Sequence, residues 1–498
     1  MRRNPQASYD RSVMIQINCK EALYTYDMYH ITKAFFPQEE IKQHVQIEQE
    51  PLITIEFPSG SCFCVACGEV MDIAEKRGRK QHANQALYRF LCTESDHEMA
   101  WGILTGIRPT KIVMKKLEEG MTEEEVARWM RDTYFISDRK AELSLEIAKR
   151  EKNLLEHLDY ADGYSLYVGI PFCPSICSYC SFSSSPIGEW SDRVDAYLDA
   201  LCKEIAFVGK QSKNKKLNTI YVGGGTPTTL SAVQLERLLR QIEDTFSYED
   251  IQEVTVEAGR PDSITREKME VLRAHRVTRI SINPQTMQQR TLDAIGRKHT
   301  VEDIRRVFHL ARQLGFDNIN MDLISGLPGE TPMDMKDTLK QIEELRPDSL
   351  TIHSLAIKRA AKMGQQSREK SKGMPENGDC MQASDLEEMI DMGAESAKRM
   401  NLEPYYLYRQ KNIAGNFENV GYAEVDKAGI YNILIMEEKQ SIIAVGAGAS
   451  TKIVLPHRVK LDNKRDTNII RIENVKDITE YIVRIDEMIE RKGEWLWH

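Results

Sequence analysis

A regular alternation of short apolar runs and amphipathic segments, between about residue 160 and residue 355, constrains the fold more than any other feature of the chain. Each run is rich in β-branched residues and is followed by a segment with helical periodicity. Strands that alternate with helices predict βαβ units and a parallel sheet. Six such units are too few for a closed eight-stranded barrel, so we expect an α/β fold with an open, partial (β/α)6 barrel. The predicted strands are Tyr164–Ile170, Thr219–Val222, Glu253–Glu257, Arg279–Asn283, Asn318–Ile324 and Ser349–Leu355. The helical segments between them are Val194–Val208, Ala232–Phe246, Thr265–Ala274, Val301–Leu314 and Pro332–Leu345.

The sequence on either side of this alternation has a different character. The N-terminal part predicts an α+β region, and the last hundred or so residues predict mixed structure that ends in a helix over Ile478–Lys492. Between Lys362 and Asp379 the chain is polar and almost without bulky apolar residues, which is typical of a loop or linker. We therefore predict three domains: an N-terminal α+β domain (1–158), the barrel (159–362) and a C-terminal α+β extension that acts as a substrate or lid domain (363–498). The N-terminal elements are predicted as strands over Ser12–Ile17 and Leu52–Phe57 and helices through Lys80–Leu91 and Glu123–Lys152.

Composition and charge exclude several classes of protein. Hydrophobic residues make up 41% of the 498 residues, so the chain can bury a sizeable core. A balance of 67 basic and 76 acidic residues gives a net charge of −9, which argues against a nucleic-acid partner. No run approaches the roughly 18 apolar residues of a spanning helix, and the basic start of the chain lacks the apolar core of a secretory signal. We expect a cytoplasmic protein with no membrane span.

Three of the ten cysteines, Cys173, Cys177 and Cys180, follow the first predicted strand with the spacing C-x3-C-x2-C. Ten cysteines are too few for a disulfide scaffold, and in a cytosolic protein a cluster favours a metal or catalytic role. Soft thiolates select iron–sulfur clusters or zinc. A structural zinc site needs a fourth ligand that no nearby residue supplies. Three thiolates suit three corners of a [4Fe–4S] cube whose fourth iron is open to a small molecule, and a three-cysteine zinc site or plain loop thiols are the competing interpretations.

A second group, Cys62, Cys64 and Cys67, follows a strand-like run. Buried or loop thiols are the favoured interpretation of this group. A metal site here would need another ligand, such as Cys92 or His97.

The residues around the first cysteine group resemble a known family. Tyr-Val-Gly-Ile-Pro-Phe-Cys173 and the aromatic Tyr179 before the third cysteine resemble the radical S-adenosylmethionine (SAM) enzymes. Together with Gly-Gly-Gly-Thr-Pro-Thr228 downstream, they resemble the oxygen-independent coproporphyrinogen III oxidases and their relatives. The segments Trp101–Lys111 and Tyr405–Tyr422 are most similar to the HemZ subgroup of that family.

This resemblance implies two cofactors, a [4Fe–4S] cluster on Cys173, Cys177 and Cys180, and SAM. In the family, a glycine-rich turn holds the amino group of SAM, and polar residues at successive strand ends contact its other parts. Tyr167 corresponds to a tyrosine near the cluster and is counted with the three cysteines as catalytic. The cofactor-binding residues implied are Tyr167, Tyr179, Gly224, Gly225, Thr226, Glu257, Gln285, Arg297, Asp322 and Ala356, with Ser450 as a contact to a second SAM.

The activity implied is the oxidative decarboxylation of coproporphyrinogen III propionates to vinyl groups, which gives protoporphyrinogen IX in anaerobic haem biosynthesis. Reductive cleavage of SAM would give a radical that removes a hydrogen atom from a propionate, and loss of CO2 and an electron then leaves the vinyl group. The implied partners are a tetrapyrrole substrate and a one-electron donor such as flavodoxin or ferredoxin. Two other functions stay open: another radical SAM tetrapyrrole enzyme (a methyltransferase or an anaerobic haem-opening enzyme) and a haem-binding delivery protein.

Two positions depart from the pattern of the oxidases. Phe182 stands where they carry a fourth cysteine, and Gly169 where they carry a histidine. Related haem-trafficking proteins also have phenylalanine at the first position, but the stretch Asn416–Tyr422 has neither the His nor the Trp of their haem-ligating signature.

Substrate propionates need cations, and the sequence offers two groups of them. A solvated helix face is favoured for the N-terminal group, and the second group follows the sixth strand. His299 and His353 are candidate proton carriers, although a structural role is favoured for each. Tyr405, Tyr406, Tyr408 and Arg409 are candidates for tetrapyrrole contacts, with burial the commoner fate of such tyrosines. The two cation groups are Lys76, Arg77, Arg79, Lys80, His82 and Arg89, and Lys358, Arg359 and Lys362.

Overall fold

The structure is a computed structural model that describes residues 14–37, 39–48, 50–356, 363, 382–409, 417–460 and 466–497. It divides into two compact units. Unit 1 comprises residues 1–145 and 409–418, and unit 2 comprises residues 146–408 and 419–498. The predicted division into three domains at residues 158 and 362 stays a prediction. Among the described residues, no helix combines the length and the apolar character that crossing a bilayer requires.

Unit 1 is built on a four-stranded sheet with the order β2-β1-β3-β4. In β1 the residues Ile15, Ile17 and Cys19 alternate inward with no exposed surface, as expected of a half-buried strand. The helices that follow the sheet are mostly amphipathic, and α5 begins at a capping box formed by Thr122 and Glu125. The elements are β1 (Ile15–Cys19), α1 (Ala22–Phe35), β2 (Ile41–Val45), β3 (Ile53–Glu56), β4 (Cys62–Val65), α2 (Gly68–Met71), α3 (Lys76–Ser95), α4 (Pro109–Glu118), α5 (Glu123–Tyr134) and α6 (Asp138–Glu156), which continues into unit 2.

Unit 2 contains an alternating series of strands and helices that confirms the predicted α/β partial barrel. The predicted strands and helices are present, with ends displaced by a few residues at most. The elements of the series are β5 (Gly163–Ile170), β6 (Phe172–Cys173), β7 (Ser185–Pro186), α7 (Val194–Gln211), β8 (Lys216–Gly224), α8 (Ala232–Thr245), β9 (Glu253–Gly259), α9 (Arg266–Ala274), β10 (Arg279–Ile282), α10 (Gln289–Ala294), α11 (Val301–Gln313), β11 (Ile319–Ser325), α12 (Pro332–Leu345) and β12 (Ser349–Ser354).

The strands of the barrel are parallel and follow one another in the order β12-β11-β10-β9-β8-β5. They are buried along almost their whole length, as expected of a parallel sheet covered by helices on its outer face. Capping boxes at Ser231, Thr300 and Thr331 start α8, α11 and α12. Because the six strands are parallel, their carboxyl ends lie at the same edge of the sheet. Gln285 and Ala356 lie within three residues beyond a strand end, whereas Tyr167, Glu257 and Asp322 lie inside β5, β9 and β11.

The C-terminal part of unit 2 extends the same sheet at both edges, which the sequence did not predict. One strand, β15, joins β5 in parallel as a seventh parallel strand, with Ala444 opposite Tyr167. Antiparallel strands complete the sheet, β14 beside β12 and β16 beside β15. The helix predicted over Ile478–Lys492 is two helices that meet at Arg484. The elements are α13 (Ala383–Arg399), β13 (Glu403–Arg409), β14 (Glu418–Ala423), α14 (Ile430–Glu437), β15 (Ser441–Val445), β16 (Ser450–Val459), β17 (Thr467–Glu473), α15 (Ile478–Val483) and α16 (Ile485–Gly493).

Candidate active site

The cysteine loop, residues 173–184, leaves the carboxyl end of β5 and is closed at its base by the short parallel ladder of β6 and β7. Within the loop, the amide of Cys180 donates to the carbonyl of Cys177 (3.1 Å). The three thiols of Cys173, Cys177 and Cys180 therefore share one short, closed loop, as the sequence predicts. Burial raises the pKa of Cys173 and of Cys180.

Neighbouring strand ends supply hydrogen bonds to this loop. The hydroxyl of Thr226 donates to Cys173 Sγ (3.6 Å), and Arg260 Nη1 lies 3.9 Å from Cys177 Sγ. The amide of Ser178 donates to the carbonyl of Ile295 (3.0 Å). The loop is thus fixed from the ends of β8 and β9 and from the segment after α10.

The glycine-rich turn at the end of β8 is packed against the start of the cysteine loop. The amides of Gly225 and Thr226 donate to the carbonyls of Ile170 and Phe172, each over 2.7 Å. A Cβ atom at position 225 would lie 2.4 Å from the carbonyl oxygen of Phe172, so only glycine fits there. Gly224 has a φ of +110°, a conformation that L side chains rarely adopt. Since the two amides are used within the protein, a ligand at this turn would be bound by carbonyl oxygens, which are suited to an ammonium group.

A layer of tyrosines lies beneath this turn, inside the barrel. The rings of Tyr167 and Tyr431 both stack on Tyr221, with centroids 6.1 and 4.4 Å away. The hydroxyl of Tyr221 donates a short hydrogen bond to Glu257 Oε1. Burial raises the pKa of Glu257 to about 7, although the bond from Tyr221 lowers it. Tyr431, on α14, was missed by sequence reasoning, because nothing in its own segment marks it as part of the barrel.

Gln285, three residues beyond β10, is joined to Asp322, which lies in the middle of β11 rather than at its end as the sequence predicts. The amide of Gln285 donates to the carbonyl of Asp322 (2.9 Å), and Gln285 has a φ of +68°. Its side-chain Oε1 is buried and has no hydrogen-bond partner among the described residues. The Asp322 carboxylate accepts from Asn320 (2.7 Å) and lies 3.7 Å from His353 Nε2. Burial alone would raise the pKa of Asp322, but interaction with His353 lowers it overall.

Arg297 is buried beside Tyr179, the aromatic residue before the third cysteine. Its Nη2 donates to the Tyr179 hydroxyl (3.3 Å) and its Nη1 to the carbonyl of Asn283 (2.5 Å). Burial alone would lower the pKa of Arg297, but the adjacent Tyr179 and Cys177 raise it overall. Its Nε is buried and has no hydrogen-bond partner among the described residues. A buried guanidinium donor without a partner is costly, so this group is suited to bind an anionic or carbonyl oxygen of a ligand.

A cavity of about 430 Å³ opens beside the glycine-rich turn. Tyr167, Gly224 and Tyr431 form one side of it, and the exposed ring of Phe182 lies at another. Ser450, the predicted second-SAM contact, also lines the cavity, with Lys452 two residues on. Ala356, two residues beyond β12, lies at the same end of the sheet but is not among the lining residues.

Several other predicted residues lie elsewhere or are used otherwise. Lys358, Arg359, Lys362 and Asn416 fall outside the described residues. The basic N-terminal group lies on and around α3 in unit 1, where Lys80 pairs with Asp27 (2.9 Å). Tyr405 and Tyr406 are buried in the core, where their rings meet edge to face, and burial is the commoner fate of such tyrosines. Tyr408 contacts His353 Nδ1 through its hydroxyl (3.3 Å).

Two of the three cysteines of the second group lie side by side, and the third has a different partner. Cys62 and Cys64 project from the exposed face of β4 with their Sγ atoms 3.7 Å apart, rather than being buried or in a loop. Cys67 instead donates to Glu50 (3.2 Å). Over the described part of the chain, no three His, Cys, Asp or Glu side chains converge as the ligands of a single metal ion would.

The fold and the cysteine loop define a radical SAM protein, and residues 167–342 match the family described as the Radical SAM superfamily. The oxygen-independent coproporphyrinogen-III oxidase-like protein HemZ of Bacillus subtilis (strain 168) is 42% identical over 433 residues, which cover 85% of this chain and 83% of HemZ. The chain belongs to this oxygen-independent coproporphyrinogen-III oxidase-like family.

Two further comparisons are narrower. The heme chaperone HemW of Bacillus subtilis (strain 168) is 38% identical over 194 residues, which are 39% of this chain and 50% of HemW. The solved structure of coproporphyrinogen III oxidase (HemN) from Escherichia coli matches with a TM-score of 0.52 and 22% identity, over 68% of this chain and 73% of that one. This structural likeness supports the fold alone.

Membership of the radical SAM superfamily confirms the two predicted cofactors, a [4Fe–4S] cluster and SAM. The residues present fit them. Three soft thiolate donors share one loop, and a cube binds each thiolate through a different iron atom, so they need not converge on one point. The side-chain-free turn at Gly225 and the buried, unpartnered atoms Gln285 Oε1 and Arg297 Nε are suited to a polar ligand.

Proposed function

We propose that this protein catalyses the oxidative decarboxylation of coproporphyrinogen III propionates to vinyl groups, giving protoporphyrinogen IX. The observation that carries the proposal is the extent of the similarity to HemZ, which covers 85% of this chain. The similarity to HemW covers only 39% of the chain. The similarity to HemZ therefore extends well beyond the barrel, into the parts of the chain on either side of it.

The cysteines would hold the cluster and the neighbouring strand ends would hold SAM. When bound, these cofactors supply the reductive bond cleavage that starts the reaction. In this proposal Cys173, Cys177 and Cys180 are the cluster ligands, and the turn at Gly224 binds the amino group of SAM. The remaining contacts to SAM are assigned to Tyr167, Tyr179, Gly225, Thr226, Glu257, Gln285, Arg297, Asp322 and Ala356, with Ser450 placed at the cavity for a second molecule.

The protein's own contribution is orientation and exclusion of water. Tyr221 fixes one oxygen of Glu257, which leaves the other oxygen for a ribose hydroxyl or an ammonium group. The buried guanidinium of Arg297 is suited to a carboxylate, because its charge is permanent and its donors lie in a plane. The stacked rings of Tyr167, Tyr221 and Tyr431 give the site an apolar wall, which favours exclusion of water around reactive intermediates.

Turnover of the reconstituted protein tests the proposal. Under strict exclusion of air, the protein is incubated with a reductant such as reduced flavodoxin, SAM and coproporphyrinogen III, and the products are analysed by mass spectrometry. We expect a product that has lost two carboxyl groups, together with consumption of SAM. Cys177→Ala should abolish both, whereas Cys64→Ala, at an exposed thiol outside the site, should leave both unchanged. SAM cleavage with no change in the tetrapyrrole would contradict the proposed substrate.

A haem-binding delivery protein is the second candidate function, and the 38% identity to HemW is the observation that favours it. Phe182, at the position where the oxidases carry a fourth cysteine, is 73% exposed beside the cavity and could stack on a tetrapyrrole. Titration of the same protein with haem distinguishes the two functions. Stoichiometric haem binding without SAM cleavage or decarboxylation would support delivery and overturn the oxidase.

A further inference from the structure

Arg260 is a buried cation behind the cysteine loop that the proposed function does not use. It follows β9 directly and is 3% exposed. Its Nη1 donates to the carbonyl (2.8 Å) and the hydroxyl (2.9 Å) of Ser175 and lies 3.9 Å from Cys177 Sγ. One nitrogen therefore contacts both the backbone of the loop and the sulfur of its middle cysteine.

The other side of the guanidinium donates two hydrogen bonds to the Asp262 carboxylate. Arg260 Nε donates to Oδ1 (3.0 Å) and Nη2 donates to Oδ2 (2.6 Å). Burial alone would raise the pKa of Asp262, but the nearby His299 and the hydrogen bonds from Arg260 lower it well below its usual range. The pair is therefore ionised, and the planar fork of Arg260 is fixed in one orientation. His299 Nδ1 lies 3.6 Å from Asp262, and burial lowers the pKa of this histidine.

The three cysteine sulfurs do not have the same surroundings. Cys173 receives a neutral hydroxyl from Thr226, whereas Cys177 lies next to the charged group of Arg260. A guanidinium nitrogen thus lies 3.9 Å from the sulfur of the middle cysteine of the loop.

Hydrogen bonds to the ligand sulfurs and nearby charge set the reduction potential of an iron–sulfur cluster. A reduced cluster carries one more negative charge than an oxidised one, so a fixed cation near a ligand sulfur stabilises the reduced form. We propose that Arg260 is a positioning residue that holds the cysteine loop through Ser175 and raises the reduction potential of the cluster through Cys177. This inference rests on the proposed cluster ligands.

The reduction potential of the cluster, rather than enzymatic activity, distinguishes the proposed role of Arg260 from a purely structural one. We compare Arg260→Met, which keeps a long side chain but removes the charge and its donors, with Arg260→Lys, which keeps the charge without the planar fork. Arg290→Met is the control, because Arg290 is 64% exposed and pairs with Asp334 instead. After anaerobic reconstitution, iron and sulfide are measured per chain, and the midpoint potential of the loaded protein is determined by mediated titration with EPR detection of the reduced cluster.

We expect the midpoint potential of Arg260→Met to be more negative than that of the unchanged protein, with a smaller shift in the same direction for Arg260→Lys. Arg290→Met should have the original potential. At one fixed concentration of reductant, the reduced fraction should therefore fall in the order unchanged protein, Arg260→Lys, Arg260→Met.

An unchanged midpoint potential in loaded Arg260→Met protein overturns the proposal, even if less cluster is taken up, because a loop-holding role alone lowers loading without moving the potential. If Arg260→Met takes up no cluster, Arg260→Gln, which is neutral but still a hydrogen-bond donor, decides, and a potential in that variant equal to that of the unchanged protein overturns the proposal. Failure of the unchanged protein itself to take up a cluster would overturn the proposed function and this inference together, and it is recognised before any variant is made.

Discussion

Gly225 and Glu257 illustrate how single residues at the edge of the sheet are restricted by their neighbours. Gly225 lies against the carbonyls of Ile170 and Phe172, so its lack of a side chain is a packing requirement. Glu257 is buried but retains a hydroxyl donor, Tyr221, that offsets part of the rise in its pKa. With a pKa of about 7, this carboxyl changes its charge within the physiological range of pH.

Replacement of Gly225 by alanine is expected to destabilise the protein by about 1–3 kcal/mol, as other overpacking substitutions do. The new methyl group would lie 2.4 Å from the Phe172 carbonyl oxygen, which is backbone and cannot move aside cheaply. The free energy of unfolding, from urea denaturation of the protein without cofactors, measures the change.

Gly188→Ala is the matched control for Gly225→Ala. A Cβ atom at position 188 would meet no heavy atom within 4 Å, so we expect a change of no more than about 0.5 kcal/mol. Equal stabilities of the two variants would show that the turn at Gly225 can relax, and that close packing does not explain its glycine.

At the scale of elements, the sequence predicts the barrel well because each strand and helix carries its own local pattern. The strand predicted over Arg279–Asn283 ends at Ile282, and the helix predicted over Pro332–Leu345 has those same ends. The pairing of β15 with β5 could not be predicted, because it joins segments about 270 residues apart and the short run Ser441–Val445 has no feature that specifies a partner.

In the candidate site too, local features could be predicted from the sequence and long-range contacts could not. The cysteine loop and the polar strand ends could be predicted, because a motif and a strand end are local features. The contributions of Tyr221, Arg260 and Tyr431 could not, because each depends on which side chains the fold brings together. Arg260 had a local signal, its place directly after a predicted strand, which sequence reasoning did not use.

The C-terminal helix α16 supports the turn at 446–449 through a buried ion pair. Lys492 and Glu204 are both fully buried and pair with each other. The Glu204 carboxylate also accepts from the amide of Gly446 (2.9 Å) and the hydroxyl of Tyr481 (2.6 Å). Lys492 donates in addition to the carbonyl of Ala444 (2.6 Å), at the end of β15. A helix about 290 residues beyond α7 in the chain thus fixes the turn that lines the cavity.

Lys492→Met should destabilise the protein by about 3–5 kcal/mol, because it leaves the buried charge of Glu204 without a cation. Lys203→Met is the matched control, since Lys203 pairs with Asp486 at the surface, where an ion pair contributes at most about 1 kcal/mol. Both are measured by urea denaturation. The double variant Glu204→Gln/Lys492→Met should recover part of the stability that Lys492→Met loses. If Lys492→Met lost no more stability than Lys203→Met, a stabilising role for the buried pair would be contradicted.

At the scale of the whole molecule, the buried carboxyl groups of unit 2 connect its stability to pH. The Glu253 carboxylate accepts hydrogen bonds from the amides of Ile430 (2.7 Å) and Tyr431 (3.4 Å). The first turn of α14 therefore offsets part of the free-energy cost of burying this carboxylate. Glu151, on α6, is also fully buried, but neither of its carboxyl oxygens has a hydrogen-bond partner among the described residues. Burial and the nearby Glu437 raise the pKa of Glu151 well above its usual range.

This raised pKa determines the sign of the pH dependence. The unfolded chain releases the Glu151 proton near pH 4.3, whereas the folded protein retains it to a higher pH. Between these two pKa values the folded state binds more protons, so the free energy of unfolding falls as the pH rises, by up to about 1.4 kcal/mol per pH unit for one proton.

Glu151→Gln removes this proton uptake while preserving the shape of the side chain. We expect the variant to be more stable than the unchanged protein at pH 8 and similar to it at pH 4, with a flatter profile between. Urea denaturation at several pH values measures the difference. Glu156→Gln, at an exposed position of the same helix that pairs with Lys152, should reproduce the original profile. Parallel profiles for Glu151→Gln and the unchanged protein would mean that Glu151 is as easily ionised in the folded protein as in the unfolded chain, which its burial without a hydrogen-bond donor argues against.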